Sequence, residues 1–220
     1  MKLAVLGTGM VGQAIAGRLD ELGHDVAMGT RDPESTRART GDGEPGAWLA
    51  EHASVRVETF ADAAAGAEVV VHASNGAAAL EVLGAAGEDN LHGKVLVDVS
   101  NPLDHSQGFP PRLFVKDDDS LAEQIQRAFP GARVVKTLNT MNCSLMVRPD
   151  QLPEGTTVFV SGDDAGAKAT ATELLRSFGH TDVLDLGDLS TARGAEMFVA
   201  LWVRLYGAVG SADFNIKVVR

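Results

Sequence analysis

Short apolar runs alternate with segments of helical periodicity along the chain. Residues 2–6 form an apolar run that ends at Gly7, and residues 12–22 carry apolar side chains at helical spacing. The alternation predicts further strands over residues 24–29, 54–59, 68–73, 94–99, 133–137, 156–161 and 181–186, and further helices over residues 76–86, 120–129, 164–178 and 191–209. This order favours an α/β fold, a doubly wound, mostly parallel Rossmann-type sheet with helices on both faces. Residues 33–46 and 104–116 predict loops, the first with a short helix.

The first predicted turn contains a G-x-G-x-x-G motif. Its residues, Gly7, Thr8, Gly9, Met10, Val11 and Gly12, follow a strand and open a helix. In that context Gly7 permits a tight turn, Gly9 lets the backbone approach a pyrophosphate, and Gly12 lets the helix pack on the strand. The motif therefore predicts a dinucleotide site with the phosphates at the helix N-terminus, the alternative being a glycine-rich turn without a ligand.

The end of the second predicted strand indicates which dinucleotide is preferred. An NAD site places a carboxylate there for the ribose 2′-hydroxyl, whereas this chain has Thr30 and Arg31. A hydroxyl and a guanidinium suit a 2′-phosphate, and Asp32 comes too late before Pro33 to serve as the acid. We therefore expect NADP as the cofactor, the alternative being that Arg31 is a solvated loop residue.

Polar residues follow three further predicted strands, whose carboxyl ends should meet at one crevice. They are Ser74 and Asn75, then Asn101 and Pro102, then Asn139 and Met141. We expect Asn101 to bind the nicotinamide carboxamide or to form an Asn-Pro turn, and Asn139 and Met141 to lie near the reacting ring. None of these side chains is an obvious proton donor, so positioning rather than acid catalysis is predicted.

Composition narrows the classes of function. The chain has 220 residues, and 19 basic against 30 acidic side chains give a net charge of −11, which argues against a nucleic-acid partner. No apolar segment is long enough to span a bilayer, so no membrane partner is expected. A single cysteine, Cys143, excludes an intrachain disulfide, and we expect a cytoplasmic protein.

Metal and nucleophile chemistry is not predicted. The six histidines show no metal-ligand spacing, and one cysteine cannot build a structural zinc site. His72 lies in a predicted buried strand and is expected to be a core residue, and Cys143 is expected to be an inert thiol. No catalytic residue is assigned beyond the positioning residues named above.

Residues 192–209 predict a helix that is apolar around most of its circumference. Glu196 and Arg204 are the main interruptions. A helix of this kind is buried in a core or an interface. We expect it to form a homodimer interface, the alternative being simple packing on the sheet.

Further motifs extend this pattern toward the C-terminus. They are Gly29-Thr30-Arg31, residues 134–141, residues 160–164, residues 184–189 and residues 214–217. Together with the glycine motif, they make the chain similar to the family of F420-dependent NADP oxidoreductases. The resemblance implies hydride exchange between NADPH and the deazaflavin F420, a homodimer, and a Rossmann domain (1–140) joined to a small C-terminal part (141–220) for substrate and dimerisation.

The chain also departs from that family. A lysine that often follows the clamp arginine is absent, with Arg37 or Arg39 as its expected substitute, and Asn139 stands where archaeal members have a histidine. The loop 104–116 would face F420 and offers Arg112, Lys116 and His105 to its anionic tail, whereas Asp104 and residues 117–119 oppose it. Two alternatives remain open: an NADPH-dependent reductase of another acceptor (a flavin, a ferric chelate, or a small carbonyl or imine compound) and a non-enzymatic NADP sensor.

Overall fold

The computed structural model describes residues 1–220. Its strands are β1 (Lys2–Leu6), β2 (Asp25–Thr30), β3 (Arg56–Thr59), β4 (Val69–His72), β5 (Val95–Asp98), β6 (Leu103–Asp104), β7 (Arg112–Leu113), β8 (Arg133–Thr137), β9 (Thr157–Ser161) and β10 (Asp182–Gly187). Its α-helices are α1 (Met10–Glu21), α2 (Pro33–Ala38), α3 (Pro45–Glu51), α4 (Phe60–Gly66), α5 (Ala79–Ala86), α6 (Glu88–Leu91), α7 (Leu121–Ala128), α8 (Cys143–Val147), α9 (Ala165–Phe178) and α10 (Ala192–Val209). No helix is long and apolar enough to cross a membrane.

Eight strands form one sheet in the order β3-β2-β1-β4-β5-β8-β9-β10. Every neighbouring pair is parallel except β8 and β9. The chain runs from β1 outward through β2 and β3, then returns to place β4 on the other side of β1. The strand order therefore reverses between β1 and β4, which is where a doubly wound sheet forms its ligand crevice. The predicted fold class is confirmed.

The sheet is covered by apolar residues on both faces. Alternate side chains of β1 face opposite ways: Leu3 and Val5 join one core cluster, and Ala4 and Leu6 join the other. Helices α1, α8 and α9 supply side chains to the first cluster, and α4, α5 and α7 supply them to the second. Burial on both faces explains why the strands are continuous apolar runs rather than alternating ones.

Several short elements lie in segments for which the sequence predicted loops or nothing. Helix α3 begins at Pro45, and proline is tolerated there because the first turn of a helix needs no N–H partner. Helix α4 is mostly alanine, so it carries no apolar periodicity, although Thr59 caps it by accepting from the Asp62 N–H. Helices α6 and α8 are too short to show a period, and β6 and β7 form a separate hairpin within the predicted polar loop.

Residues 141–220 extend the same sheet. β9 pairs antiparallel to β8, and β10 pairs parallel to β9. The C-terminal tail is tied to this edge, because the Thr157 N–H donates to the carbonyl of Ile216 over 3.0 Å and the Thr157 hydroxyl accepts from the Val218 N–H over 2.9 Å. Residues 141–220 thus continue the sheet of residues 1–140, and a domain boundary at residue 140 stays a prediction.

Candidate active site

A cleft of about 620 Å³ opens at the carboxyl ends of β1, β4 and β5, where the strand order reverses. Its walls come from the glycine loop, the segments after β4 and β5, the loop and helix after β8, and α10. The lining residues include Gly9, Met10, Val11, Ser74, Asn75, Gly76, Ser100, Asn101, Leu103, His105, Met141, Cys143, Met146 and Trp202. Most of the residues predicted at the crevice are thus brought together.

The glycine loop has the geometry that a dinucleotide phosphate needs. Gly7 has a φ of +129°, which favours glycine, and a Cβ on Gly12 would lie 2.1 Å from the Gly7 carbonyl oxygen. A Cβ on Gly9 would instead meet no atom within 4 Å. No side chain caps the start of α1, so its first N–H groups are free to bind an anion. This open cradle fits the phosphates of NADP.

The residues at the end of β2 already have hydrogen-bond or ion-pair partners within the protein. Arg31 is exposed, and its guanidinium pairs with Glu81 of α5 at 3.0 Å. Asp32 caps α2 by accepting from the Ser35 N–H, so its carboxylate is engaged away from a ribose, as predicted. The Thr30 hydroxyl is buried against the Thr36 hydroxyl, which itself donates to the Asp32 carbonyl. The Thr30 hydroxyl therefore has a partner within the protein, and its role in the clamp stays a prediction.

Neither arginine expected to replace the missing clamp lysine is free. Arg37 donates to the carbonyl of Val57 on β3 over 3.0 Å. Arg39 pairs with Glu44 at 2.8 Å. Arg31 is paired as well, with Glu81, and it is the arginine that directly follows β2.

Asn101 and Asn139 bind each other across the two loops that end β5 and β8. The Asn101 amide donates to the Asn139 carbonyl over 2.8 Å, and the Asn139 amide donates to the Asn101 side-chain oxygen over 2.9 Å and to the carbonyl of Ala195 over 3.0 Å. Asn139 is buried and does not line the cleft, which corrects its predicted place beside the reacting ring. Met141 does line the cleft. Asn139 instead ties Asn101 and α10 to the loop after β8.

A fully buried ion cluster, defined here as Asp98, Lys136 and Glu196, lies beneath the cleft. The Lys136 ammonium is 2.7 Å from Asp98 and 2.9 Å from Glu196, and it donates to the Ser100 carbonyl over 2.6 Å. Glu196 also accepts the N–H groups of Leu121 and Ala122, so this carboxylate caps α7 from α10. The ammonium thus joins β5, β8 and α10, and Glu196 extends the cluster to α7.

The ion cluster sets the charge states of its members. Burial alone would raise the pKa of Asp98, but the Lys136 ammonium and the hydrogen bond from His72 outweigh it and hold that pKa well below its usual range. Burial alone would lower the pKa of Lys136, but Asp98 and Glu196 raise it. The cluster therefore holds an ionised pair in a dry core.

His72 joins this cluster to the cleft. Its Nδ1 is 2.9 Å from Asp98 Oδ1, and its Nε2 is 2.6 Å from the hydroxyl of Ser74, which lines the cleft. The prediction that His72 is a buried core residue is confirmed, but its contact with a cleft residue was missed. The order His72-Ala73-Ser74 at the end of a buried strand was the one available signal, because residues two apart on a strand share a face.

The hairpin β6–β7 and α10 complete the outer wall. A second cavity of about 440 Å³ adjoins the cleft and is lined by Asn75, Ala77, Leu103, Asp104, His105 and Phe114. The predicted loop thus faces the cleft through His105, whereas Lys116 is exposed and lies 3.8 Å from Asp117. On α10, the indole Nε1 of Trp202 is buried without a hydrogen-bond partner. The 440 Å³ cavity therefore extends the candidate site toward β6–β7.

The amino-acid sequence of this chain is similar to those of known proteins. The family model described as NADP oxidoreductase coenzyme F420-dependent matches residues 2–102. The F420-dependent NADP reductase of Methanothermobacter marburgensis is 30% identical over 211 residues, which cover 93% of this chain and 92% of that protein. The chain belongs to the family of F420-dependent NADP oxidoreductases. This membership confirms the predicted resemblance and the prediction of an NADP-dependent oxidoreductase whose family uses NADP and F420.

Two further relatives define the extent of the similarity. The crystal structure of a candidate F420-dependent NADP reductase from Arthrobacter sp. FB24 is 57% identical, with a TM-score of 0.97 over 100% of both chains. The metalloreductase STEAP3 of Rattus norvegicus is 30% identical over 196 residues. Those residues cover 89% of this chain but 36% of STEAP3, so the chain spans little more than a third of that relative.

Proposed function

We propose that this chain transfers a hydride between NADP(H) and the deazaflavin ring of F420 in the cleft described above. The observation that carries the proposal is a pair of adjoining cavities, one at the open glycine loop and one beside β6–β7, which share Asn75, Leu103 and His105. Such a pair can hold two extended cofactors with their reacting rings side by side. Family membership supports the identity of both cofactors.

Each part of the cleft has a separate task. The free N–H groups of Gly9, Met10 and Val11 would hold the pyrophosphate. Arg31, which follows β2 and does not line the cleft itself, would hold the 2′-phosphate. Bound NADP supplies the nicotinamide carbon that gives or takes the hydride. Met141 and Met146 present apolar surface at the far wall, which excludes water from the rings. Asn139 holds Asn101 in place beside them.

The test follows the absorbance of the deazaflavin. Enzyme and reduced F420 are mixed with NADP⁺, and reoxidation of F420 is expected without added metal or flavin. Binding of NADPH is measured separately by its fluorescence. Bound NADPH with no change in F420 would reject F420 as the co-substrate.

A second acceptor has one specific observation in its favour. The similarity to a metalloreductase extends over 89% of this chain, so a ferric chelate is the alternative acceptor to test. The same assay with ferric citrate in place of F420 separates the two activities. Turnover of ferric citrate alone would favour the alternative, and binding of NADPH without any turnover would favour a sensor.

Arg31 is expected to determine the preference for NADP. A hydrogen bond to a charged group contributes ~1.5–3 kcal/mol, so Arg31→Ala should raise the KM for NADPH roughly 10- to 150-fold. The turnover number should stay nearly constant, because the 2′-phosphate is remote from the hydride and binds equally in the ground and transition states. Steady-state kinetics of NADPH and NADH measure both effects.

Glu81 provides the matched control. It is the exposed partner of Arg31, so Glu81→Gln frees the guanidinium without removing it. The KM for NADPH should then stay the same or fall. Equal affinity of the wild-type protein for NAD and NADP would contradict the proposed clamp.

We also propose that the chain forms a homodimer through α10 and works in the cytoplasm. Leu201 and Val209 on this helix are 54% and 58% exposed, and Trp202 stacks on Tyr206 with ring centroids 5.7 Å apart. Several large apolar side chains exposed on one helix are typical of an interface. A chain with one cysteine and no disulfide also suits a reducing compartment.

Light scattering should give about twice the chain mass of 23.0 kDa. Leu201→Asp should shift the protein to a monomer, because it places a charge in the apolar face. Leu80→Asp is the control: Leu80 is also an exposed leucine, 44% accessible, but it lies on α5. A wild-type monomer at high concentration would contradict the dimer.

A further inference from the structure

A continuous line of hydrogen bonds runs from the cleft into the core. It begins at Ser74 Oγ, continues through the two ring nitrogens of His72 at 2.6 and 2.9 Å, and ends at Asp98. His72 and Asp98 are 0% exposed, and Ser74 lines the cleft. Because Asp98 is a carboxylate that can only accept, Nδ1 of His72 carries a proton and Nε2 faces the serine hydroxyl.

We propose that Ser74, His72 and Asp98 form a proton relay that delivers to F420, or takes from it, the proton that accompanies the hydride. This inference rests on the proposed function. Ser74 is the catalytic residue, since it alone of the three lines the cleft. His72 and Asp98 act through it, and the relay would supply the proton donor that the sequence analysis did not predict.

The steps balance in both directions. In reduction of F420, two electrons and a proton leave the nicotinamide as a hydride and form a C–H bond on the deazaflavin ring. A ring nitrogen takes the proton of the Ser74 hydroxyl, and Ser74 takes the Nε2 proton of a doubly protonated His72, which leaves a neutral imidazole with its proton on Nδ1. The imidazole regains its proton from water through Ser74 after the product leaves. In the oxidation of reduced F420, neutral His72 accepts the proton through Ser74 instead.

The charged groups around His72 bear on the proposed proton relay. On the neighbouring strands, Leu6 of β1 and Asp98 of β5 lie beside it, and Lys136 of β8 and Glu196 of α10 complete the charged groups around it. Two carboxylates face one ammonium, so the ion cluster carries one uncompensated negative charge. A proton passing through the imidazole would offset that charge.

The hydrogen bond of Asp98 to a second hydroxyl supplies a matched control. Ser100 donates to the same carboxylate oxygen over 2.7 Å and also lines the cleft, but its hydroxyl makes no hydrogen bond with His72. Ser74→Ala and Ser100→Ala therefore remove equivalent groups, of which only the first breaks the relay. Ser74→Thr keeps the hydroxyl, and His72→Asn keeps an N–H donor toward Asp98 while removing Nε2.

Kinetics with NADPH and F420 provide the first readout. Ser74→Ala and His72→Asn should lower the turnover number about 10²-fold, the typical contribution of general acid catalysis, and should abolish its solvent isotope effect. The KM for NADPH should change little, and Ser74→Thr should restore most of the rate. Ser100→Ala should keep the isotope effect of the wild type.

Calorimetry without F420 provides the second readout. Binding of NADP⁺ brings a positive charge into the cleft, so the relay should release protons that NADPH binding does not release. Titrations in two buffers of different ionisation enthalpy count these protons. The difference between NADP⁺ and NADPH should be present in the wild type and in Ser100→Ala, and absent in His72→Asn.

The two proposals fail in different ways. If the wild type exchanges hydride between NADPH and F420, but Ser74→Ala keeps its rate and isotope effect, the relay is wrong and the proposed function stands. If the wild type exchanges no hydride, the proposed function is wrong, and the calorimetric difference alone decides whether His72 exchanges a proton with the cleft. An unchanged proton count in folded His72→Asn would overturn the relay.

Discussion

Replacing Gly9 by alanine is expected to weaken NADPH binding by at least ~10²-fold while leaving the fold intact. A Cβ there meets no protein atom within 4 Å, and the φ of −79° suits any residue. The added methyl group would occupy the space that the pyrophosphate needs and separate it from the N–H groups of α1. Loss of two hydrogen bonds to a charged group, at ~1.5–3 kcal/mol each, accounts for the expected effect.

Gly12 is the matched control for this prediction. A Cβ on Gly12 would lie 2.1 Å from a backbone oxygen, so Gly12→Ala must displace α1 from β1. We expect it to lower the free energy of unfolding by about 3 kcal/mol, whereas Gly9→Ala should leave it the same or raise it by ~0.4–1 kcal/mol. Urea unfolding and NADPH fluorescence titration measure the two quantities. Tight NADPH binding by Gly9→Ala would show that the loop is a turn without a ligand.

Removing the ammonium from the ion cluster is the second change with a large expected effect. Lys136→Met leaves Asp98 and Glu196 buried as carboxylates without their cation, and breaking a buried pair in this way costs about 3–5 kcal/mol. The free energy of unfolding at about pH 7 should fall by this amount. Capping of α7 by Glu196 should also weaken.

Lys168 provides a comparison with the same residue type. It pairs at 2.9 Å with Asp185, which is 57% exposed, although the Lys168 side chain itself is 17% exposed and also donates to the Gly187 carbonyl. Such pairs contribute ~0–1 kcal/mol, so Lys168→Met should change stability little. Equal losses in the two variants would show that the ion cluster contributes no more than a surface pair.

The pH dependence of Lys136→Met should have the opposite sign to that of the wild type. In the wild type the pKa of Asp98 lies below its unfolded value, so its contribution is present above about pH 4 and is lost as the pH falls further. Without the ammonium, burial raises the pKa of Asp98 instead. The stability deficit of the variant should therefore shrink between about pH 7 and about pH 4.5, as the buried carboxylate takes up a proton. A deficit independent of pH would contradict this account.

Local signals explain which elements the sequence predicted well. The strand over residues 133–137 coincides with β8, and the predicted helix over residues 164–178 differs from α9 only at Asp164, which caps it. Such elements carry their own period and their own caps. The short helices α3, α4, α6 and α8 carry too few residues for a period, so tertiary packing determines them.

The residues of the candidate site also differ in whether local sequence could predict them. The chain by itself determined the glycine motif and its place after β1, because one strand, one turn and one helix within twelve residues are a local arrangement. The cation at the end of β2 was local too. What only the tertiary structure decided is which polar groups remain free: the Thr30 hydroxyl is already bonded to Thr36, and the Asn139 amide is bonded to Asn101 and Ala195.

The sequence could not predict the ion cluster or its link to Ser74, and the reason is physical. His72 and Asp98 are 26 residues apart, and Asp98 and Lys136 are 38 apart, on strands that become neighbours only when the sheet forms. Nothing in the local pattern distinguishes a buried histidine bonded to a carboxylate from one bonded to a backbone carbonyl. Sheet order places β4 beside β5 and β5 beside β8, and α10 brings Glu196 over them. The sequence alone therefore predicted where a dinucleotide would bind, and the packing of four distant segments decided which charged side chains lie beneath the cleft.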